Sequence, residues 1–109
     1  MDEADGAGAS VGSAVLTVDA AGIAVITLTG EIDMSNVETL RGAIEPMLGE
    51  PRERVDFDLA ALDFMDSSGI AFLLRVAAKA GSVHLRSPSA LVRRMVQATG
   101  LTDVLLMDP

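Results

Sequence analysis

The chain has no cysteine, tryptophan or tyrosine, and its 109 residues include only three aromatics, Phe57, Phe64 and Phe72. Without cysteine there can be no disulfide, no thiolate nucleophile and no cysteine-ligated zinc, which suits a reducing compartment and makes the cytoplasm the expected location. With so few rings the core must be built from Val, Leu, Ile, Ala and Met, and stacking platforms are scarce. Cationic residues are also few: eight Lys and Arg stand against sixteen Asp and Glu, for a formal net charge of −8. Binding a phosphate backbone needs a clustered basic surface, so nucleic acid is not an expected partner. No apolar run approaches the ~20 residues of a membrane span. The opening Met1-Asp2-Glu3-Ala4-Asp5-Gly6 has neither the cationic start nor the apolar run of a signal peptide. No membrane insertion is expected.

What is present fits one domain, since a chain of this length sits near the common size for a single core. Residues 1–12, made of Ala, Gly, Ser and acids, have too little apolar surface to offset the entropy of ordering them. They read as a flexible tail ahead of a domain over 13–109. Val15-Leu16-Thr17-Val18, a turn at Ala20-Ala21-Gly22 and Ile23 through Thr29 read as a β-hairpin. Ser35-Asn36-Val37-Glu38 has the form of a capping box, and Val37, Leu40, Ile44, Met47 and Leu48 follow at helical spacing. Pro46 and Gly49 threaten or end the last turn.

Val55, Phe57 and Leu59 alternate with Asp56 and Asp58, which predicts a third strand with the two acids on a solvated face. A short loop through Asp63-Phe64-Met65 then leads to Asp66-Ser67-Ser68-Gly69 and a helix, apolar nearly all round, that Gly81 stops. Val83-His84-Leu85 reads as a short strand. Ser87-Pro88 opens a helix carrying Leu91, Val92, Met95 and Val96, with Gly100 as its stop, and Val104 to Met107 forms the last strand. The predicted order is ββαβαβαβ: an α/β domain with a mixed open sheet and helices packed against it.

Enzymatic chemistry finds little support. The aspartates at 56, 58, 63 and 66 resemble a magnesium-holding cluster, and Asp56-x-Asp58 resembles the start of haloacid-dehalogenase phosphatases. Those chains need a further lysine and an acidic loop, and the single lysine here lies on a helix. A receiver-type acidic pair is replaced by Asp19-Ala20-Ala21-Gly22. Serine hydrolysis would need a base for Ser67 or Ser68, and the one histidine, His84, sits in a short strand; Gly-x-Ser-x-Gly is absent. No phosphate loop and no metal site emerge, since Gly6, Gly8 and Gly12 precede no strand–loop–lysine signature. No catalytic residue, metal or cofactor is expected. Asp66-Ser67-Ser68-Gly69 remains. On its own it is a helix cap; functionally, it would hold Ser67 Oγ at the surface where helix N–H groups and the dipole can receive a phosphate.

The sequence resembles the STAS-domain family, shared by bacterial anti-sigma factor antagonists and the cytoplasmic ends of sulfate transporters. The resemblance rests on Leu28-Thr29-Gly30-Glu31-Ile32-Asp33, Phe64-Met65-Asp66-Ser67-Ser68-Gly69-Ile70, Ser87-Pro88 with Val92-Arg93-Arg94, and Thr99-Gly100-Leu101. These segments cover Val15 to Met107 in order. The resemblance implies a STAS-like fold and an anti-sigma factor antagonist that does not itself turn over substrate. In that family an ATP-dependent kinase, itself the anti-sigma factor, phosphorylates the first serine of Asp-Ser-Ser-Gly, and the unmodified antagonist binds that kinase and frees the sigma factor. A phosphoserine phosphatase reverses the modification. Carried over, Ser67 is the acceptor, Asp66, Ser68 and Gly69 shape its loop, and Asp33 is a partner contact or an aid to phosphotransfer. A small STAS subunit of a lipid-importing ABC transporter and a STAS scaffold in a stress-signalling assembly are the alternatives. The chain departs from the family in a short Ser67–Pro88 stretch and in having no final helix after Met107, which leaves part of the sheet uncovered for weak self-association.

Overall fold

The computed structural model describes residues 12–50 and 52–108, so residues 1–11 of the expected tail lie outside the described residues. Strands β1 (Gly12–Val18) and β2 (Ala24–Ile32) form the hairpin, antiparallel from Gly12↔Gly30 to Val18↔Ala24. Asp19 closes its turn. The Asp19 N–H donates to the Ile23 carbonyl at 2.9 Å, and its Oδ1 accepts from Ala21 N–H and Ile23 N–H at 2.9 and 3.0 Å. Gly22 completes the turn at φ 83°, a value that costs little only without a Cβ.

Helix α1 (Val37–Leu48) follows and retains Pro46 in its last turn. The expected capping box does not form. Ser35 turns its N–H and hydroxyl to Asp33 Oδ1, and Asn36 occupies the N-cap position without capping through its side chain, whose Oδ1 accepts the Asp33 N–H instead. Val37, Ile44 and Leu48 are buried, whereas Met47 of the predicted stripe is 54% exposed.

Strand β3 (Arg52–Asp58) pairs parallel with the first half of β2, from Ala24↔Val55 to Thr27↔Asp58. The segment read as a loop is a strand: β4 (Leu62–Met65) pairs parallel with the end of β2, Gly30↔Leu62 and Ile32↔Met65. The observed order is therefore ββαββαβαβ. Glu31 pairs with Phe64, so the register skips Asp63 and breaks the strict alternation by which a strand is recognised.

Helix α2 (Ser67–Ala77) is followed by β5 (Ala80–Arg86), which is longer than predicted. Gly81 does not stop the helix. It lies inside β5, where an added Cβ would stand 2.6 Å from the Glu53 carbonyl oxygen, and the helix ends instead at Ala78. Helix α3 (Ala90–Thr99) begins after Ser89, whose hydroxyl accepts the Val92 N–H at 3.2 Å; Pro88 stays outside the helix. Gly100 ends α3 in the left-handed conformation as expected. Strand β6 (Leu105–Met107) pairs parallel with β5.

The sheet runs β1-β2-β3-β5-β6 with β4 attached to β2. Ala24, Ile26 and Leu28 of β2, Val55 and Phe57 of β3, and Val83 and Leu85 of β5 join the buried residues of all three helices in one cluster. The helices therefore share one face of the sheet. At its centre Phe57 and Phe72 meet edge to face, ring centroids 5.8 Å apart at 80°, an arrangement worth about 1 kcal/mol beyond the area buried. Val25, Asp56 and His84 are in register on the opposite face.

That face corrects a further expectation. Asp56 is not solvated but fully buried, at 0% exposure, beneath Arg54 and Arg86. Arg54 Nε reaches its Oδ1 and Arg86 Nε its Oδ2, each at 2.7 Å, while Arg86 also holds Asp19 Oδ2 at 2.8 Å. A carboxylate can be buried here because two guanidinium groups satisfy both its oxygens.

Candidate functional site

The site forms where β2 and β4 end side by side. Because Ile32 is paired with Met65, the next residues, Asp33 and Asp66, emerge at the same edge of the sheet. The Asp66 N–H donates to the Ile32 carbonyl at 3.2 Å and locks the two exits together. Pairing in this register brings together two segments more than thirty residues apart in sequence.

Asp33 organises the first exit. Its Oδ1 accepts the Ser35 N–H at 2.9 Å, its N–H donates to Asn36 Oδ1 at 3.0 Å, and its carbonyl accepts the Val37 N–H at 2.9 Å. Asn36 Nδ2 in turn donates to the Glu31 carbonyl at 2.8 Å, closing the loop over itself. Gly12 is needed beneath this knot, since a Cβ there would overlap the Glu31 carbonyl oxygen. Asn36 was not singled out from sequence; its position at the head of a helix gave the only signal. Met34, at the tip of this loop, is 81% exposed.

Asp66 organises the second exit as the N-cap of α2. With extended backbone (φ −99°, ψ −170°), its Oδ1 accepts the Ser68 N–H at 2.8 Å and the Ser68 hydroxyl as well. The Ser68 hydroxyl bond is the main reason its carboxyl lies below the usual range. Partial burial opposes that effect, the N–H groups of Ser68 and Gly69 add to it, and the neighbouring Asp33 charge opposes it. The repulsion from Asp33 is itself a sign that the two carboxylates share one small region. Gly69 is buried against Met65, and an added Cβ would overlap Met65 Cγ.

The two serines thus differ. Ser68 is half-buried with its hydroxyl bound to Asp66, whereas Ser67, the first residue of α2, is exposed and its hydroxyl makes no hydrogen bond among the described residues. An unbound hydroxyl at the positive end of an eleven-residue helix can take up a phosphoryl group, and the helix end favours the added charge. The surroundings oppose it, because Asp66 is the preceding residue and the Asp33 charge acts on the same small region. Beside Ser68, a groove between α1 and α2 is flanked by Arg41 and Arg75, and Ala71 and Phe72 form part of its wall.

The other aspartates of the dense stretch are dispersed. Asp56 lies on the helix-free face, and Asp58 Oδ1 accepts the Ala60 N–H at 3.0 Å. Among the described residues no three acidic or histidine side chains converge as metal ligands, and no helix is long and apolar enough to cross a membrane.

Comparison with known proteins agrees with this geometry. The family profile described as Mlab, STAS domain matches residues 16–107. The chain is 35% identical over 82 residues to an anti-sigma F factor antagonist of Lysinibacillus sphaericus, covering 71% of this chain and 70% of that protein. The crystal structure of an anti-sigma factor antagonist from Mycobacterium paratuberculosis superposes with a TM-score of 0.72 at 28% identity, over 90% of this chain and 86% of that one. The Bacillus cell-fate determinant SpoIIAA in its phosphorylated form superposes with a TM-score of 0.61 at 27% identity, over 89% and 92% of the two chains.

Proposed function

The chain belongs to the STAS-domain family, and from that premise we propose that it is an anti-sigma factor antagonist switched by phosphorylation of Ser67. It works by binding and not by turnover. Unmodified, it captures an anti-sigma factor that is also a serine kinase; phosphorylated, it lets that partner go, and a phosphoserine phosphatase restores it. Its place of action is the cytoplasm, where sigma factors work. The names of its relatives support the antagonist reading, and a relative of the same fold has been solved phosphorylated.

The observation that carries the site assignment is the contrast between the two hydroxyls: Ser67 exposed and without a hydrogen bond among the described residues, Ser68 held by Asp66. Asp66 sets the loop, Gly69 lets the helix sit tight on Met65, and Asp33 presents a carboxylate to the partner beside the acceptor. Phosphorylation adds roughly −1.5 to −2 charges to a region already acidic. Each unit of that charge that meets a partner carboxylate at ~6 Å costs about 2 to 3 kcal/mol at an effective dielectric near 20, roughly a hundredfold in affinity. The switch is therefore local and electrostatic and needs no refolding.

The test is calorimetry of unmodified, phosphorylated and Ser67→Ala protein against the cognate kinase, after mapping the phosphate by mass. A single phosphate on Ser67, tight binding by unmodified and Ser67→Ala protein, and binding about a hundredfold weaker after phosphorylation are expected. Equal affinity of the phosphorylated and unmodified forms defeats the switch, and a phosphate on Ser68 defeats the site assignment.

A further inference from the structure

We propose that the protein forms a two-fold dimer in which β1 pairs antiparallel with β1 of a second copy, centred on Val15. Strand β1 is an outer strand of the sheet, and among the described residues nothing pairs with its outer side. The hairpin determines which backbone groups face that side. Asp19 N–H donates to the Ile23 carbonyl, so Asp19 and Ile23 form a hydrogen-bonded pair, and in an antiparallel ladder such pairs alternate with non-bonded ones. Thr17, Val15 and Ser13 therefore direct their backbone groups to β2. Val18, Leu16, Ala14 and Gly12 direct N–H and C=O outward.

Natural outer strands are blunted by lysine, proline, bulges or short length. Gly12-Ser13-Ala14-Val15-Leu16-Thr17-Val18 has no charge and no proline, and its register against β2 is unbroken over all seven residues. Val15 and Val18 are 53% and 61% exposed. In a chain of net charge −8, this uncharged strand is a place where two copies can meet without opposing carboxylates.

Residues 1–11 are the competing occupant, and their sequence argues against them. They lead straight into Gly12, so lying along the same edge requires an immediate reversal, and a tight turn takes at least about two residues. The remainder includes Asp2, Glu3, Asp5, Gly6 and Gly8, poor strand formers all. A second β1 has both the length and the composition.

Symmetry then sets the register. Val15 is the midpoint of β1, and pairing about it places Gly12 opposite Val18 of the second copy and Ala14 opposite Leu16, in both directions. Each of these has outward backbone groups, so every opposed pair can exchange hydrogen bonds. Val15 faces its own equivalent in a non-hydrogen-bonded pair, where Cα atoms come within ~4.5 Å, and Ser13 faces Thr17.

The absence of cysteine makes the register directly testable. Under mild oxidation of the full chain, Val15→Cys is expected to give a disulfide-linked dimer, while Thr17→Cys is not, its two copies lying about four residues, or ~13 Å, apart along the strands. Light scattering of the wild type should give twice the monomer mass. Val15→Lys places like charges face to face and should halve that mass with circular dichroism unchanged, since the side chain is exposed. A wild type that stays monomeric up to ~0.5 mM, a dimer that survives Val15→Lys, or equal cross-linking by both cysteines overturns the proposal. So does a monomer that dimerises only when residues 1–11 are removed, which would assign the edge to the tail.

Discussion

Arg86 Nε lies 2.7 Å from Asp56 Oδ2, and the same guanidinium reaches Asp19, so one side chain of β5 ties together β3 and the β1–β2 turn. Removing it leaves a fully buried carboxylate with Arg54 as its remaining arginine. Breaking a buried pair from one side costs up to about 3 to 5 kcal/mol; because the guanidinium is 39% exposed, a value near 2 to 3 kcal/mol is expected for Arg86→Ala. Arg54→Ala should cost less, since Arg54 bonds Asp56 and not Asp19. Urea denaturation of both variants checks the order.

Acid should unfold the protein partly through the same group. Burial pushes the Asp56 carboxyl up, but hydrogen bonds from Arg54 and Arg86 outweigh it and the net direction is down; Arg86 likewise lowers Asp19. A carboxyl lowered in the folded state contributes stability that is complete above its unfolded value, about 4, and is lost as pH falls through the lowered folded value. Stability is therefore expected to be flat with respect to these groups from pH 7 to about 5 and to drop below about 4. Asp56→Asn should be less stable at neutral pH and show a shallower acid limb in denaturation curves taken across that range.

These arginines also show where the sequence stopped being legible. Alternation correctly placed Asp56 opposite Val55 and Phe57, but nothing local could reveal that Arg86, thirty positions away, would cover it. Strand β4 was missed because Asp63 falls out of register and its four residues follow no period of two, so only pairing with β2 identifies it. Gly81 looked like a helix stop because a glycine after an apolar helix commonly is one; its actual reason is the Glu53 carbonyl on the adjacent strand. The hairpin, the three helices and the cap at Asp66 were legible because each is written in neighbouring residues. The exposed Ser67 hydroxyl was legible only as one reading of that cap, and the contrast with Ser68 required coordinates.

Gly69→Ala is expected to destabilise the domain by about 1 to 3 kcal/mol through overpacking against Met65. The two sites should be coupled: in the double variant with Met65→Ala the added methyl meets no Cγ, so the combined loss should fall below the sum of the single losses by at least ~0.5 kcal/mol. Thermal or urea denaturation of the four proteins completes the cycle.

Asp66→Ala removes the cap of α2 and should cost about 1 kcal/mol. It also frees the Ser68 hydroxyl. With the cognate kinase and ATP, the variant is expected to divide its phosphate between Ser67 and Ser68, and the native chain to take it on Ser67 alone. Peptide mass mapping distinguishes the two patterns.

The pairing of Ile32 with Met65 acts as a ruler. It measures out chain from two directions, and Asp33 and Ser67 leave the same edge of the sheet because each follows its last paired residue by a fixed count. A change in length at the Ala78–Lys79 junction, by contrast, shifts nothing at the site. Between Leu62 and Ser67 a single inserted or deleted residue would rotate the Ser67 hydroxyl away from its place even if every remaining residue were kept. Spacing in that segment is as much a part of the inherited signal as the letters themselves.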